Sequence, residues 1–134
     1  MFFTYETLTK SSGPLYVKIY FTDTETPYTL DELFHLWIGY YESQTEFVFI
    51  FHTKDLIQIP RIWYAFKMAM FLYSLKYRYP IKHYLQHSHI LIQSAGLQRL
   101  LEWIFAIQLP VAPVSVYHAD EYEESLEPSV VIYP

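Results

Sequence analysis

Phe47-Val48-Phe49-Ile50-Phe51 and His89-Ile90-Leu91-Ile92-Gln93 decide how this chain of 134 residues is read. Each is a short run of β-forming, mostly apolar residues. The first is continuous enough to predict a central strand covered on both faces. Between them, Pro60 suits a first helical turn, Ile62, Phe66, Ala69 and Tyr73 continue one helical face, and Pro80 ends it. On the amino-terminal side, Thr29-Leu30-Asp31-Glu32 has the form of a capping box. Leu33, Phe34, Trp37 and Tyr41 follow it at helical spacing, which predicts a helix over 30–42. Earlier still, Val17, Ile19 and Phe21 alternate with Tyr16, Lys18 and Tyr20 as a half-buried strand does. The Ser11-Ser12-Gly13-Pro14 turn joins that strand to a weaker one over 2–8, giving a hairpin.

Beyond the second run, Ser94 can cap a helix striped by Leu97, Leu100, Leu101 and Ile104, and Pro110 and Pro113 close it. Val114 to Tyr117 reads as a last strand. The expected fold class is therefore α/β, with a mixed sheet of four to five strands in the order β-β-α-β-α-β-α-β and helices packed on the sheet. Residues 1–118 read as a single α/β domain. Residues 119–134 read as an acidic helix or tail, with Val130 to Tyr133 apolar enough to dock.

Composition narrows the classes. Hydrophobic residues make up 52 % and charged ones 17 %, so a chain of this length buries a real core and is not disordered. Aromatic residues reach 20 %, and such rings fill cores and interfaces. Three glycines leave little material for a phosphate-binding loop, and the lack of cysteine excludes disulfides, thiolate metal sites and a cysteine nucleophile. No apolar run is long enough to span a bilayer. The opening MFFTYETLTK has no basic region followed by an apolar one, so a soluble, intracellular, cytoplasmic protein without a secretory signal is expected.

The net charge of −5 is unevenly placed. From Leu56 to Leu101 there is no Asp or Glu, while Arg61, Lys67, Lys76, Arg78, Lys82 and Arg99 all fall there. The end reverses this: Asp120, Glu121, Glu123, Glu124 and Glu127 occur with no Lys or Arg after Arg99. Such asymmetry speaks about partners rather than fold.

Over residues 15–126 this order resembles the STAS domain of anti-sigma-factor antagonists. It also resembles the core of the CRAL-TRIO lipid-binding domain. The STAS likeness rests on a hydrophobic strand leading by a short loop into a helix (Phe47 to Met70), then on HILIQSAGLQRLLEWIF and VSVYHADEYEESL. The CRAL-TRIO likeness rests on Tyr79-Pro80, the strand at 89–93 and the Leu109-Pro110 turn. What the STAS likeness implies is a protein-interaction module. STAS regulators carry a phosphorylated Ser or Thr at the start of the helix after the central strand, whereas residues 59–62 here read Ile-Pro-Arg-Ile. The likeness therefore implies no phosphorylation switch at that place.

Catalytic signatures are lacking: there is no G-x-S-x-G, Walker A or G-x-G-x-x-G pattern, so no catalytic residue and no cofactor is expected. His83, His87 and His89 are the nearest approach to a metal set, with 83 and 87 sharing a face if that segment is helical. No carboxylate or thiolate lies near to complete it, so no metal is expected. In open α/β sheets ligands bind beyond the carboxyl ends of strands. That places a candidate small-molecule site at His52, Lys54 and Asp55, with Gln93 and Ser94 at the next strand end. The basic residues Arg61, Lys67, Lys76, Arg78 and Lys82 interleave with Trp63, Tyr64, Tyr73, Tyr77 and Tyr79. On a helix these positions spread around the axis rather than forming one basic face.

Three functions follow from these features. The first is a non-catalytic protein–protein interaction or structural module, engaging other chains or copies of itself. The second is a carrier of a lipid or small apolar ligand. The third is nucleic-acid or anionic-membrane binding through residues 61–82.

Overall fold

The computed structural model describes residues 3–9, 13–21, 30–53, 62–92, 95–118 and 131–133. The elements run β1 (Phe3–Thr9), β2 (Leu15–Phe21), α1 (Leu30–Glu42), β3 (Phe47–His52), α2 (Ile62–Arg78), β4 (Leu85–Ile92), α3 (Ala95–Ile107), β5 (Val114–His118) and β6 (Val131–Tyr133). The α/β order expected from the sequence is present, as a mixed sheet of five strands extended by the three-residue β6. The apolar segment after Val130 thus pairs with β5. The acidic stretch before it, including Asp120, Glu121, Glu123 and Glu124, lies outside the described residues.

The strands lie in chain order, β1-β2-β3-β4-β5-β6. β2, β3, β4 and β5 are mutually parallel, and β1 and β6 pair antiparallel at the two margins. Gly13 takes a φ of 105° in the connection from β1 to β2, a conformation closed to most side chains. A sheet that always advances in one direction through right-handed crossovers must keep its helices on one side. The core bears this out. Leu33, Trp37 and Tyr41 of α1, Ala65, Leu72 and Leu75 of α2, and Leu97, Leu100 and Ile104 of α3 share one cluster with the sheet. From the sheet it takes Val17, Ile19, Phe47, Phe49, Phe51, Ile90, Ile92, Val114 and Val116, all of one face by register.

This corrects the expectation that Phe47 to Phe51 is covered by helices on both faces. Phe47, Phe49 and Phe51 face the helices. Val48 and Ile50 point the other way, are buried, and stand outside the helix-covered core. Their register partners on that side are long: Tyr16 and Lys18 from β2, His87 and His89 from β4. Side chains of that reach shade short aliphatics from water without an overlying helix. The same fact moves the start of β4. His89 to Gln93 was expected, but the strand begins at Leu85, with a bulge near Gln86. Of the polar lead-in, His87 projects from the face on which no helix packs among the described residues, while Ser88 is buried on the helix-covered face opposite Phe49.

Rings dominate the packing between α1, α2 and β3. Trp37 meets Phe49 edge-on at 5.1 Å and Phe71 at 5.0 Å, while Phe34 stacks flat on Phe71 at 4.1 Å. Asp31 and Glu32 in the first turn of α1 suit the positive end of its dipole. The Thr29 cap proposed from the sequence lies outside the described residues. α1 ends in a Schellman arrangement: Thr45 N–H donates to Tyr40 O at 2.9 Å and Gln44 N–H to Tyr41 O at 3.1 Å. Gln44 occupies the left-handed position, with φ 56°.

Candidate interaction surface

α2 is apolar on two opposite faces. Ala65, Ala69, Leu72 and Leu75 point into the molecule and are buried. Phe66, Met70, Tyr73 and Tyr77 point out and are 52, 63, 56 and 78 % exposed. These four are separated by four, three and four residues, which puts them in one stripe along the helix. A surface helix ordinarily carries polar residues there, and one that is apolar all round is ordinarily enclosed. Leu109 is brought beside α2 by the Lys76 ammonium, which donates to the Leu109 carbonyl at 2.7 Å. Leu109 is itself exposed, as are Trp103 and Ile107 of α3, the helix that packs on α2. Of the one helical face expected over Ile62, Phe66, Ala69 and Tyr73, Ala69 is buried while Phe66 and Tyr73 are exposed. Phe66 and Tyr73 instead share the outer stripe.

The predicted basic residues divide. Lys67 and Arg78 lie on one flank of the stripe and Lys76 on the other, spread around the axis as expected. Arg78 sits 5.7 Å from the centre of the Tyr79 ring, and Tyr79 packs edge-on against Tyr41 at 4.8 Å. Burial pulls the Lys76 ammonium below its ordinary pKa. Lys82 lies past the helix and pairs with Glu46 at 3.1 Å, with its ammonium 5.1 Å from the Tyr84 ring centre. Arg61 lies outside the described residues.

Of the predicted small-molecule site, only His52 is described; Lys54, Asp55, Gln93 and Ser94 lie outside the described residues. His52 is half-buried and its ring stacks on Tyr20 at 4.5 Å. Beside it, the Thr53 hydroxyl donates to the Leu91 carbonyl, tying β3 to β4.

The histidines separate into two environments. Residues 85–92 are a strand, so His83 and His87 do not share a helical face. His83 Nδ1 lies 2.8 Å from the Tyr41 hydroxyl. Burial pushes that phenol up to about 12, so Tyr41 keeps its proton. Burial, helped by the charge of Lys76, lowers His83. His87 and His89 project from the face on which no helix packs among the described residues, and they stack at 4.4 Å. His87 Nε2 is 2.7 Å from the Ser115 hydroxyl, and His89 Nδ1 is 2.9 Å from the Tyr117 hydroxyl. Burial first, and then the neighbouring His87, lower His89 to about 4. Burial also lowers His87. Near neutral pH both imidazoles are uncharged and serve as hydrogen-bond partners between β4 and β5. Period-2 alternation of His87 and His89 with Ser88 and Ile90 was the sequence signal for this array. Among the described residues no group of three or more His, Asp or Glu is placed to hold a metal ion.

A cavity of about 80 Å³ lies where α2 and α3 meet the sheet, lined by residues that include Leu72, Ile90, Leu101, Phe105 and Val111. No helix among the described residues is long and apolar enough to cross a membrane. Comparison of the chain with protein-family models, curated proteins and solved structures finds no match.

Proposed function

We propose that this chain is a non-catalytic protein-interaction module, with the STAS-like or CRAL-TRIO-like order of elements noted above, and that it engages another polypeptide through the outer face of α2. The single observation that carries this reading is the stripe Phe66, Met70, Tyr73 and Tyr77, four large apolar side chains all at least half exposed on one helix face. Aromatic and methionine side chains are enriched in protein interfaces, and contiguous exposed apolar surface on a folded domain marks contact sites. The histidines support a non-catalytic reading: His83, His87 and His89 each hold a hydroxyl within the fold. The cavity under α3, lined by described residues, has about 80 Å³, less than the ~150 Å³ that accommodates benzene, so this cavity does not itself support a lipid carrier.

Hydroxyl-radical footprinting tests the reading without knowledge of the partner, because Met70, Tyr73 and Tyr77 are oxidisable. Their oxidation is expected to be strong in the purified protein and suppressed in the cells that make it. Equal oxidation in both settings, against an internal reference such as Tyr5, overturns the reading.

A further inference from the structure

We infer that the outer edge of β1 is a second contact surface, and that its occupant is β1 of another copy of this chain, paired antiparallel about a two-fold axis through Tyr5. The inference goes beyond α2 and does not depend on it. β1 ends the sheet, and among the described residues no strand pairs with its outer side. The backbone N–H and C=O groups of alternate residues project from that side as a template for another strand. Edge strands are ordinarily blunted by brevity, bulges, Pro or Lys. β1 has none of these: it is seven residues long, its ladder with β2 runs without a shift, and FTYETLT contains no Lys, Arg, Pro or Gly. Thr4 to Thr9 are all exposed, so the margin is open on both faces to a second sheet. The opposite margin is blunted: β6 has three residues, and Pro134 after it has no N–H to give. With one usable edge per molecule, pairing closes at two copies instead of running on into a fibre.

The residues of β1 select the register. A two-fold axis normal to the sheet sets one residue directly against its own copy. An axis at Glu6 brings two carboxylates face to face, which is unfavourable. An axis at Thr7 sets Glu6 against Leu8, a carboxylate against an aliphatic side chain. An axis nearer either end pairs less of the strand. An axis at Tyr5 sets Phe3 against Thr7 and Thr4 against Glu6, with the two Tyr5 rings opposed. Aromatic pairs are favourable cross-strand neighbours, and the Phe3 ring lies 6.3 Å from Tyr5 to extend the cluster. Tyr5 is 49 % exposed in the single chain and so has surface to bury. On the other face the Thr4 hydroxyl meets Glu6, whose Oε1 already accepts from the Tyr20 hydroxyl at 2.9 Å. A carboxylate has room to accept both. Pairing over Phe3 to Thr7 buries less than the ~1,200–2,000 Å² of a standard stable contact, so a weak dimer is expected, with a dissociation constant of about 100 µM. Tyr5 therefore stays exposed in dilute footprinting samples.

The test is sedimentation of the full chain over a concentration series from about 1 to about 500 µM, which brackets the expected constant. A reversible monomer–dimer equilibrium that stops at two copies is expected. Tyr5→Lys opposes two ammonium groups on the axis and is expected to leave a monomer throughout, with the circular dichroism spectrum unchanged. The sign of the charge at residue 4 tests the register, and serves should Tyr5→Lys fail to fold. Thr4→Lys faces Glu6 of the second copy on both sides of the axis and should tighten the dimer about fivefold, as two exposed ion pairs do. Thr4→Glu should weaken it by a similar factor, and high salt should erase both effects. A wild type that stays monomeric at every concentration overturns the inference. So does a dimer that Tyr5→Lys leaves intact, or one that Tyr73→Glu removes, which would place the contact on α2. Equal dimerisation of the two Thr4 variants overturns the pairing about Tyr5, and growth beyond two copies overturns the two-fold closure.

Discussion

Acid should loosen this fold through His89, and the size of the effect can be worked from its surroundings. The unperturbed imidazole titrates near 6.5, and in the folded chain His89 is held at about 4 by burial and by the adjacent His87. The folded pKa lies below the unfolded one, so the unfolded state binds the proton more tightly. Stability is then level above about pH 6.5, falls as the pH drops toward 4, and levels off again below that. A displacement of that size corresponds to about 3 kcal/mol in full. The ring is only half-buried, and screening by solvent reduces the expected loss to about 1–2 kcal/mol. His87 is displaced in the same direction and adds to it. The structural event is local: Nδ1 and the Tyr117 hydroxyl share a hydrogen bond at 2.9 Å, and protonation places a charge on this half-buried ring beside His87. Urea unfolding of the wild type and of His89→Gln should be followed from about pH 7 to about pH 4.5, the range set by the unfolded and folded values. Carboxylate titrations are common to both proteins and cancel in the difference. The wild type should lose stability more steeply than the variant over this range. Parallel curves would refute the account of His89 as a buried neutral base.

Three further outcomes are expected. Phe49 is fully buried, with Trp37, Phe47 and Phe51 all within 5.1 Å of its ring centre, so Phe49→Ala should cost about 3–5 kcal/mol in chemical denaturation; a loss below about 1 kcal/mol would contradict its place at the centre of the core. Gln44 holds φ 56° at the end of α1 where glycine carries no steric penalty, and Gln44→Gly should raise stability by about 0.5–1 kcal/mol, visible as a higher thermal midpoint. Lys82 and Glu46 pair at 3.1 Å with side chains 56 and 49 % exposed, so a double-mutant cycle should return a coupling below about 1 kcal/mol that vanishes in high salt.

Local pattern was enough to determine the elements. The capping box and the spacing of Leu33, Trp37 and Tyr41 predicted α1 over 30–42, matching Leu30–Glu42. Phe47 to Phe51 announced β3, and the stripe from Leu97 to Ile104 announced α3, because helical and strand periodicities are properties of neighbours along the chain. Which side of each element is covered is a property of the whole sheet. Five apolar residues in a row on β3 imply two buried faces, yet only the tertiary arrangement decided that helices cover the face of Phe49 while strand neighbours shade Val48 and Ile50. The strands are laid down in chain order, so every crossover returns on the same side, and no residue pattern within one strand records that. The same holds for α2. Its apolar residues run all round the helix, so periodicity marked a helix but could not choose its inward face. Packing of Ala65, Leu72 and Leu75 against the sheet chose it, and left Phe66, Met70, Tyr73 and Tyr77 facing outward.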